Sequence, residues 1–217
     1  MKQQSPAMRF KVLDLGLVDF SKALDLQQET FEAIKENTGQ SALLICRHQP
    51  VITLGSHANR NNILATEEEL KQQGIPVIKT NRGGDVTYHG PGQITVYPVF
   101  DLNSFKRDIH LFLRNLEQVV IDFLGDFAVK GERILGLTGV WVGESKISSI
   151  GICIRHWITY HGVSINIKNN DLDNFKAIRP CGLDLPVTSL EACLGKDVDI
   201  GESKKVLIRK FEDRFLN

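Results

Sequence analysis

Cys181 stands in the run Arg179-Pro180-Cys181-Gly182. Proline and glycine constrain the backbone on either side and set the thiol on a loop, where functional groups concentrate. Such a thiol is either an inert packing group or a nucleophile, and the second role needs a neighbour that favours the thiolate. Lys146 is one candidate neighbour, at the start of Lys146-Ile147-Ser148-Ser149-Ile150-Gly151-Ile152. Period-two alternation puts it on one strand face with Ile150, Ile152 and Ile154. A lysine on that face either snorkels outward or is held inside, where its ammonium would lower a thiol pKa and its own proton becomes mobile. The histidines His48, His57, His89, His110, His156 and His161 are the other candidates, and no pair of them has metal-ligand spacing. Cys46 and Cys153 sit in apolar strand patterns and Cys193 in a helical turn, so all three read as packing residues.

Residues 82–93, RGGDVTYHGPGQ, hold four glycines, a proline, an arginine and a histidine. The run is too glycine-rich for a helix interior and reads as too polar for a core strand. Its glycines allow positive φ and close backbone approach, and its N–H groups could cradle an anion or a carbonyl. A tight surface turn is the plainer reading, but a turn needs neither Arg82 nor His89.

These groups require elements to hold them. A first strand is expected over 9–17. Phe20, Leu24, Phe31 and Ile34 recur at helical spacing, which predicts an amphipathic helix over 19–36. Residues 42–47 read as a buried strand, 51–54 as a continuation of the same sheet, and Thr66 as the cap of a short acidic helix ended by Gly74. Strands follow at 76–79 and 94–100. Ile109, Phe112, Leu113, Leu116, Val119, Val120 and Phe123 share one face of the longest helix, which Gly125 stops. A weak strand and turn is expected over 129–134. Beyond Thr138 come consecutive strands, 139–142, 146–154 and 158–167, whose simplest arrangement is an antiparallel meander. A short helix or turn over 169–176, a loop over 180–186 and a terminal helix over 203–216 complete the chain. Helices mixed irregularly with antiparallel strands give an α+β class and a single domain over 1–217.

Composition limits function further. The 217 residues can bury a sizeable core, and 26 basic residues balance 26 acidic ones, so overall charge gives no footprint for nucleic acid or an anionic membrane. No apolar run approaches a membrane span, and the N-terminus lacks a signal-peptide core. A cytoplasmic location, reduced thiols, no metal and no cofactor are the expectations. No P-loop, dinucleotide fingerprint or nucleophile elbow occurs.

In order along the chain, VITLGSHA at 51–58, RGGDVTYHGPGQ at 82–93, GVWVG at 139–143, KISSIGI at 146–152, TYHGVSINI at 159–167, RPCGL at 179–183 and VTSL at 187–190 resemble the lipoyl(octanoyl) transferases. The resemblance implies a biotin/lipoate protein ligase fold, related to the catalytic domain of class II aminoacyl-tRNA synthetases, with a mostly antiparallel sheet. It implies transfer of an octanoyl group from octanoyl-acyl carrier protein to a specific lysine of lipoyl domains, in E2 subunits of 2-oxoacid dehydrogenases or the glycine-cleavage H protein. An ATP-dependent lipoate–protein ligase and a non-enzymatic carrier-binding module are the alternatives. The first would need no Cys181, and the second leaves Lys146 together with Cys181 unexplained.

By the same resemblance Cys181 is the acyl-thioester nucleophile and Lys146 the residue that lowers its pKa. Substrate-binding positions are Arg82, Gly83, Gly84, Asp85, Val86, Thr87, Tyr88 and His89, then Ser149, Ile150 and Gly151, then Gly162, Val163 and Ser164. Many family members carry two alanines where this chain has Ser148 and Ser149, which raises the question of tunnel polarity. Apolar sheet residues are expected to line the acyl slot. Loop N–H groups near Cys181 or in the glycine-rich run are expected to stabilise the oxyanion.

Overall fold

The computed structural model describes residues 10–180 and 185–216. Cys181 and the N-terminal seven residues read as a loose end therefore lie outside the described residues. Strands β1 (Lys11–Val18), β2 (Ala42–His48), β6 (Gln93–Val99), β7 (Val140–Val142), β8 (Ser145–Arg155) and β9 (Ile158–Asn166) form one sheet in the order β1-β2-β6-β9-β8-β7. β1 runs parallel to β2, and the other pairings are antiparallel, including the meander β7-β8-β9. A second sheet holds β3 (Val51–Leu54), β4 (Val77–Lys79) and β5 (Val86–His89) in the order β4-β3-β5.

Both faces of the large sheet are covered, which is why β2 is apolar without alternation. Leu43, Ile45, Val96, Val163 and Ile165 face helices α3 (Ile109–Asp126) and α5 (Ile200–Phe215). Leu44, Cys46, Tyr97, Val99 and Tyr160 face α1 (Phe20–Lys35). The small sheet has its own core, Ile52, Leu54, Val86 and Tyr88, closed by Leu70 of α2 (Glu67–Gln72) and by Phe175. Thr66 and Glu69 form a reciprocal capping box at the start of α2, as the sequence predicts. A short helix α4 (Leu190–Leu194), capped by the Ser189 hydroxyl, precedes α5.

Four expectations need correction. β3 does not extend the sheet of β2, because the turn after His48 redirects the chain into the small sheet. Residues 86–89 of the glycine-rich run form a buried strand. Their polarity is absorbed by partners: His89 meets Gln93 at 3.3 Å and Tyr88 OH accepts from Asn174 at 2.7 Å. Residues 129–134 form no strand, only a single bridge between Glu132 and Trp141. The strict alternation read for β8 also fails. Trp141 pairs with Lys146 but its neighbour Val140 pairs with Ser148, so Ile147 is an extra residue there. Beyond this bulge Ser148 faces the helical core with Ile165, and Ser149 and Gly151 face the other side.

Candidate active site

A cavity of about 530 Å³ opens between the large sheet, the glycine-rich run and the N-terminus of α1. A row of hydroxyls crosses its sheet side. Thr95 on β6, Ser164 on β9 and Ser149 on β8 are successive register partners across three neighbouring strands. Apolar surface comes from Phe20, Val86, Ile109, Leu113 and Leu137 and, within the sheet, from Ile150, Ile152 and Val163. Apolar sheet residues thus line the cavity as expected, with the hydroxyls set among them. Of the two serines in question, only Ser149 lines the cavity.

The glycine-rich run reaches β8 by backbone contact. Gly83 N–H donates to Ile152 C=O at 2.8 Å. A Cβ on Gly151 would come within 2.6 Å of Gly83 O, so only glycine allows this approach. Arg82 is buried and ties the run to the small sheet. It donates from Nη2 to Thr53 C=O at 2.7 Å and to Asp85 C=O at 2.7 Å, and from Nε to Thr53 Oγ1 at 3.1 Å.

Buried His89 and His161 line the cavity, and His48 packs behind His89. His48 Nε2 lies 2.6 Å from Tyr97 OH and its Nδ1 2.9 Å from Val18 C=O. His89 stacks on Phe20 and meets His48 edge-on. Burial lowers the His48 pKa to about 4 and that of His161 to about 3. Burial, with His48 and Arg82 nearby, holds His89 well below the ordinary imidazole range. All three are neutral at neutral pH. His161 takes a left-handed φ of 57° inside β9, and its N–H leaves the sheet ladder to meet Gln27 Oε1 at 2.8 Å.

Lys146 lines the cavity as well, 9% exposed, with Nζ 5.2 Å from the centre of the Trp141 ring. It is held inside and does not snorkel. Its backbone is gripped by the segment that follows Cys181 in sequence: Lys146 N–H donates to Pro186 C=O at 2.8 Å and Thr188 N–H to Lys146 C=O at 3.0 Å. On the near side of Cys181, Pro180 lines the cavity and Arg179 N–H donates to Asn62 C=O at 2.7 Å.

The rim beside Lys146 is organised by a buried carboxylate. Glu117 on α3 accepts from Arg114 at 2.7 Å, from Arg133 at 2.9 Å and from the Gly139 N–H at 3.3 Å. Gly136, Leu137 and Thr138 of that loop line the cavity.

The residues named from sequence therefore converge. Arg82, Gly83, Gly84, Asp85, Val86, Thr87 and His89 line the cavity with Lys146, Ser149, Ile150, Gly151, Gly162, Val163 and Ser164. Tyr88 does not: it points into the small-sheet core against Phe175. Sequence reasoning missed Phe20, Thr95, Tyr97, Ile109 and Leu113, which look like ordinary core or boundary residues. Thr95 alone left a signal, a hydroxyl inside the apolar strand pattern of β6. Among the described residues no cluster of histidine, cysteine or acidic groups could hold a metal ion, and no helix is long and apolar enough to cross a membrane.

Comparison with known proteins gives the family. Residues 19–212 match the family model described as the lipoyl protein ligase A/B catalytic domain. The chain is 45% identical over 197 residues to an octanoyltransferase of Solibacter usitatus, covering 91% of this chain and 89% of the relative. It is 42% identical over 200 residues to an octanoyltransferase of Clostridium kluyveri, covering 92% and 83%. In structure it resembles the bi-partite lipoate protein ligase of Thermoplasma acidophilum, with a TM-score of 0.67 at 22% identity over 95% of this chain and 84% of the other. The match over 19–212 and the identity to octanoyltransferases along nearly the whole chain place it in the lipoyl protein ligase A/B catalytic-domain family, on the side of its octanoyltransferases.

Proposed function

We propose that this chain is a lipoyl(octanoyl) transferase that moves an octanoyl group from octanoyl-acyl carrier protein to a lysine of a lipoyl domain, in E2 subunits or the glycine-cleavage H protein, through a thioester on Cys181. The Cys181 thiolate attacks the carrier thioester carbonyl; the carrier C–S bond breaks and the carrier leaves as its thiol, taking a proton from the Lys146 ammonium. The target lysine amine then attacks the acyl-enzyme; an amide forms, the C–S bond to Cys181 breaks, Cys181 leaves as thiolate and the amine proton passes to the Lys146 amine. Lys146 as ammonium favours the Cys181 thiolate, and as amine it accepts the proton of the incoming lysine. Arg82 and His89 act as positioning residues, since Arg82 is engaged with Thr53 and Asp85 and His89 is neutral and buried.

The observation that supports this most is the grip on Lys146. The chain just after Cys181 bonds both its N–H and its C=O, while the residue just before Cys181 lines the same cavity as Lys146. Purified protein is expected to transfer octanoyl from octanoyl-acyl carrier protein to a lipoyl domain without ATP. A strict requirement for ATP and free octanoate would instead mark a ligase.

A further inference from the structure

The hydroxyl row goes beyond what an octanoyl chain needs. Thr95, Ser164 and Ser149 form a row across β6, β9 and β8, with strands about 4.8 Å apart. Thr95 is 2% exposed and Ser164 5%. Among the described residues Thr95 Oγ1 has no hydrogen-bond partner, and neither have Thr87 Oγ1 and His161 Nδ1, which belong to residues lining the same cavity. Native proteins rarely leave buried polar atoms unpaired, so several around one cavity mark a place where a ligand or water supplies the partner. A saturated alkyl chain supplies none.

We propose that this row is a hydrogen-bonding subsite and that the enzyme also transfers medium-chain acyl groups carrying a hydroxyl on the chain. The inference rests on the acyl-transfer reading of the site. The row begins on β8, the strand of Lys146, and runs across the sheet toward β6, where Tyr97 lies beyond Thr95. An acyl group whose carbonyl is held near Lys146 meets Ser149 first and Thr95 nearer its tail. A hydroxyl fits better than a ketone. His161 Nε2 lies 2.8 Å from Asn81 Oδ1 and donates to it, which leaves Nδ1 as an acceptor that needs a donor. The transfer chemistry is unchanged: thioester exchange onto Cys181, then amide formation, with the chain hydroxyl not consumed.

The test uses the full-length protein and carrier-protein thioesters of octanoate and of hydroxyoctanoates with the hydroxyl near the carbonyl, in mid-chain or at the tail. Equimolar pairs compete, and intact mass reads the ratio of the two acyl-enzymes. At least one mid-chain or tail hydroxyl is expected to load within about ten-fold of octanoyl. Ser149→Ala and the isosteric Thr95→Val are each expected to shift that ratio about ten-fold toward octanoyl, the loss of one hydrogen bond. Rejection of every hydroxylated chain by about a hundred-fold, as an apolar slot does, overturns the proposal. Ratios that neither variant moves also overturn it. If no thioester labels the protein, the acyl-transfer reading falls and the subsite with it.

Discussion

Three neutral buried histidines, two of them in the cavity wall, make the fold sensitive to mild acid. Unfolded, each titrates near 6.5; folded, His48 titrates at about 4, His161 at about 3 and His89 well below the ordinary range. Below the unfolded value the unfolded chain binds more protons than the folded one, so stability falls as pH falls. The loss begins near 6.5 and continues toward the folded values. At about pH 5 each histidine that stays neutral in the fold weakens it by about 2 kcal/mol, or about 6 kcal/mol for three. That is a large share of the roughly 5–15 kcal/mol that holds a typical domain together. Asp171 opposes the trend, because burial raises its carboxyl pKa and the folded state takes up its proton more readily. Urea unfolding at about pH 7 and about pH 5 measures the difference, with His48→Gln expected to remove about a third of it. A loss below about 2 kcal/mol at constant slope against urea would refute the burial argument for all three histidines together.

Lys146→Ala is expected to move Cys181 alkylation by one or more units toward higher pH, as loss of a nearby cation does; an unchanged alkylation profile removes the lysine from thiol activation. Glu117→Gln is expected to lower stability by about 2 kcal/mol, by weakening charged hydrogen bonds to Arg114, Arg133 and the Gly139 N–H. Because the loop it holds lines the cavity, KM is expected to rise more than kcat falls, and a change in melting temperature alone would limit Glu117 to stability. Gly151→Ala is expected to push the glycine-rich run off β8, since its Cβ would meet Gly83 O at 2.6 Å. Loss of octanoyl transfer with little change in melting temperature supports that docking, and full activity contradicts it.

Much of this was legible in the residues themselves. Helical spacing of Phe20, Phe31 and Ile34 located α1, the Thr66 cap located α2, and alternation after Thr138 gave the meander. Most of the cavity lining was readable from the glycine-rich run and the two strand motifs. What was missed depends on tertiary pairing. A bulge at Ile147 turns Lys146 away from Ile150 and Ile152, and no period-two count detects one extra residue. The strand at 86–89 was hidden by polar residues whose partners are Gln93, four residues on, and the distant Asn174. Phe20 looked like core because it is core, and it also closes one wall of the cavity.

The central claim is that Cys181 carries the acyl group. Mixing the protein with octanoyl-acyl carrier protein and reading the intact mass, followed by a peptide map, tests it directly. The account predicts one added octanoyl group, labile to hydroxylamine, on the peptide containing Cys181 and absent from Cys181→Ser. An octanoyl group mapped to Cys153 or Cys193, or no added mass while octanoyl still reaches the lipoyl domain, would contradict it.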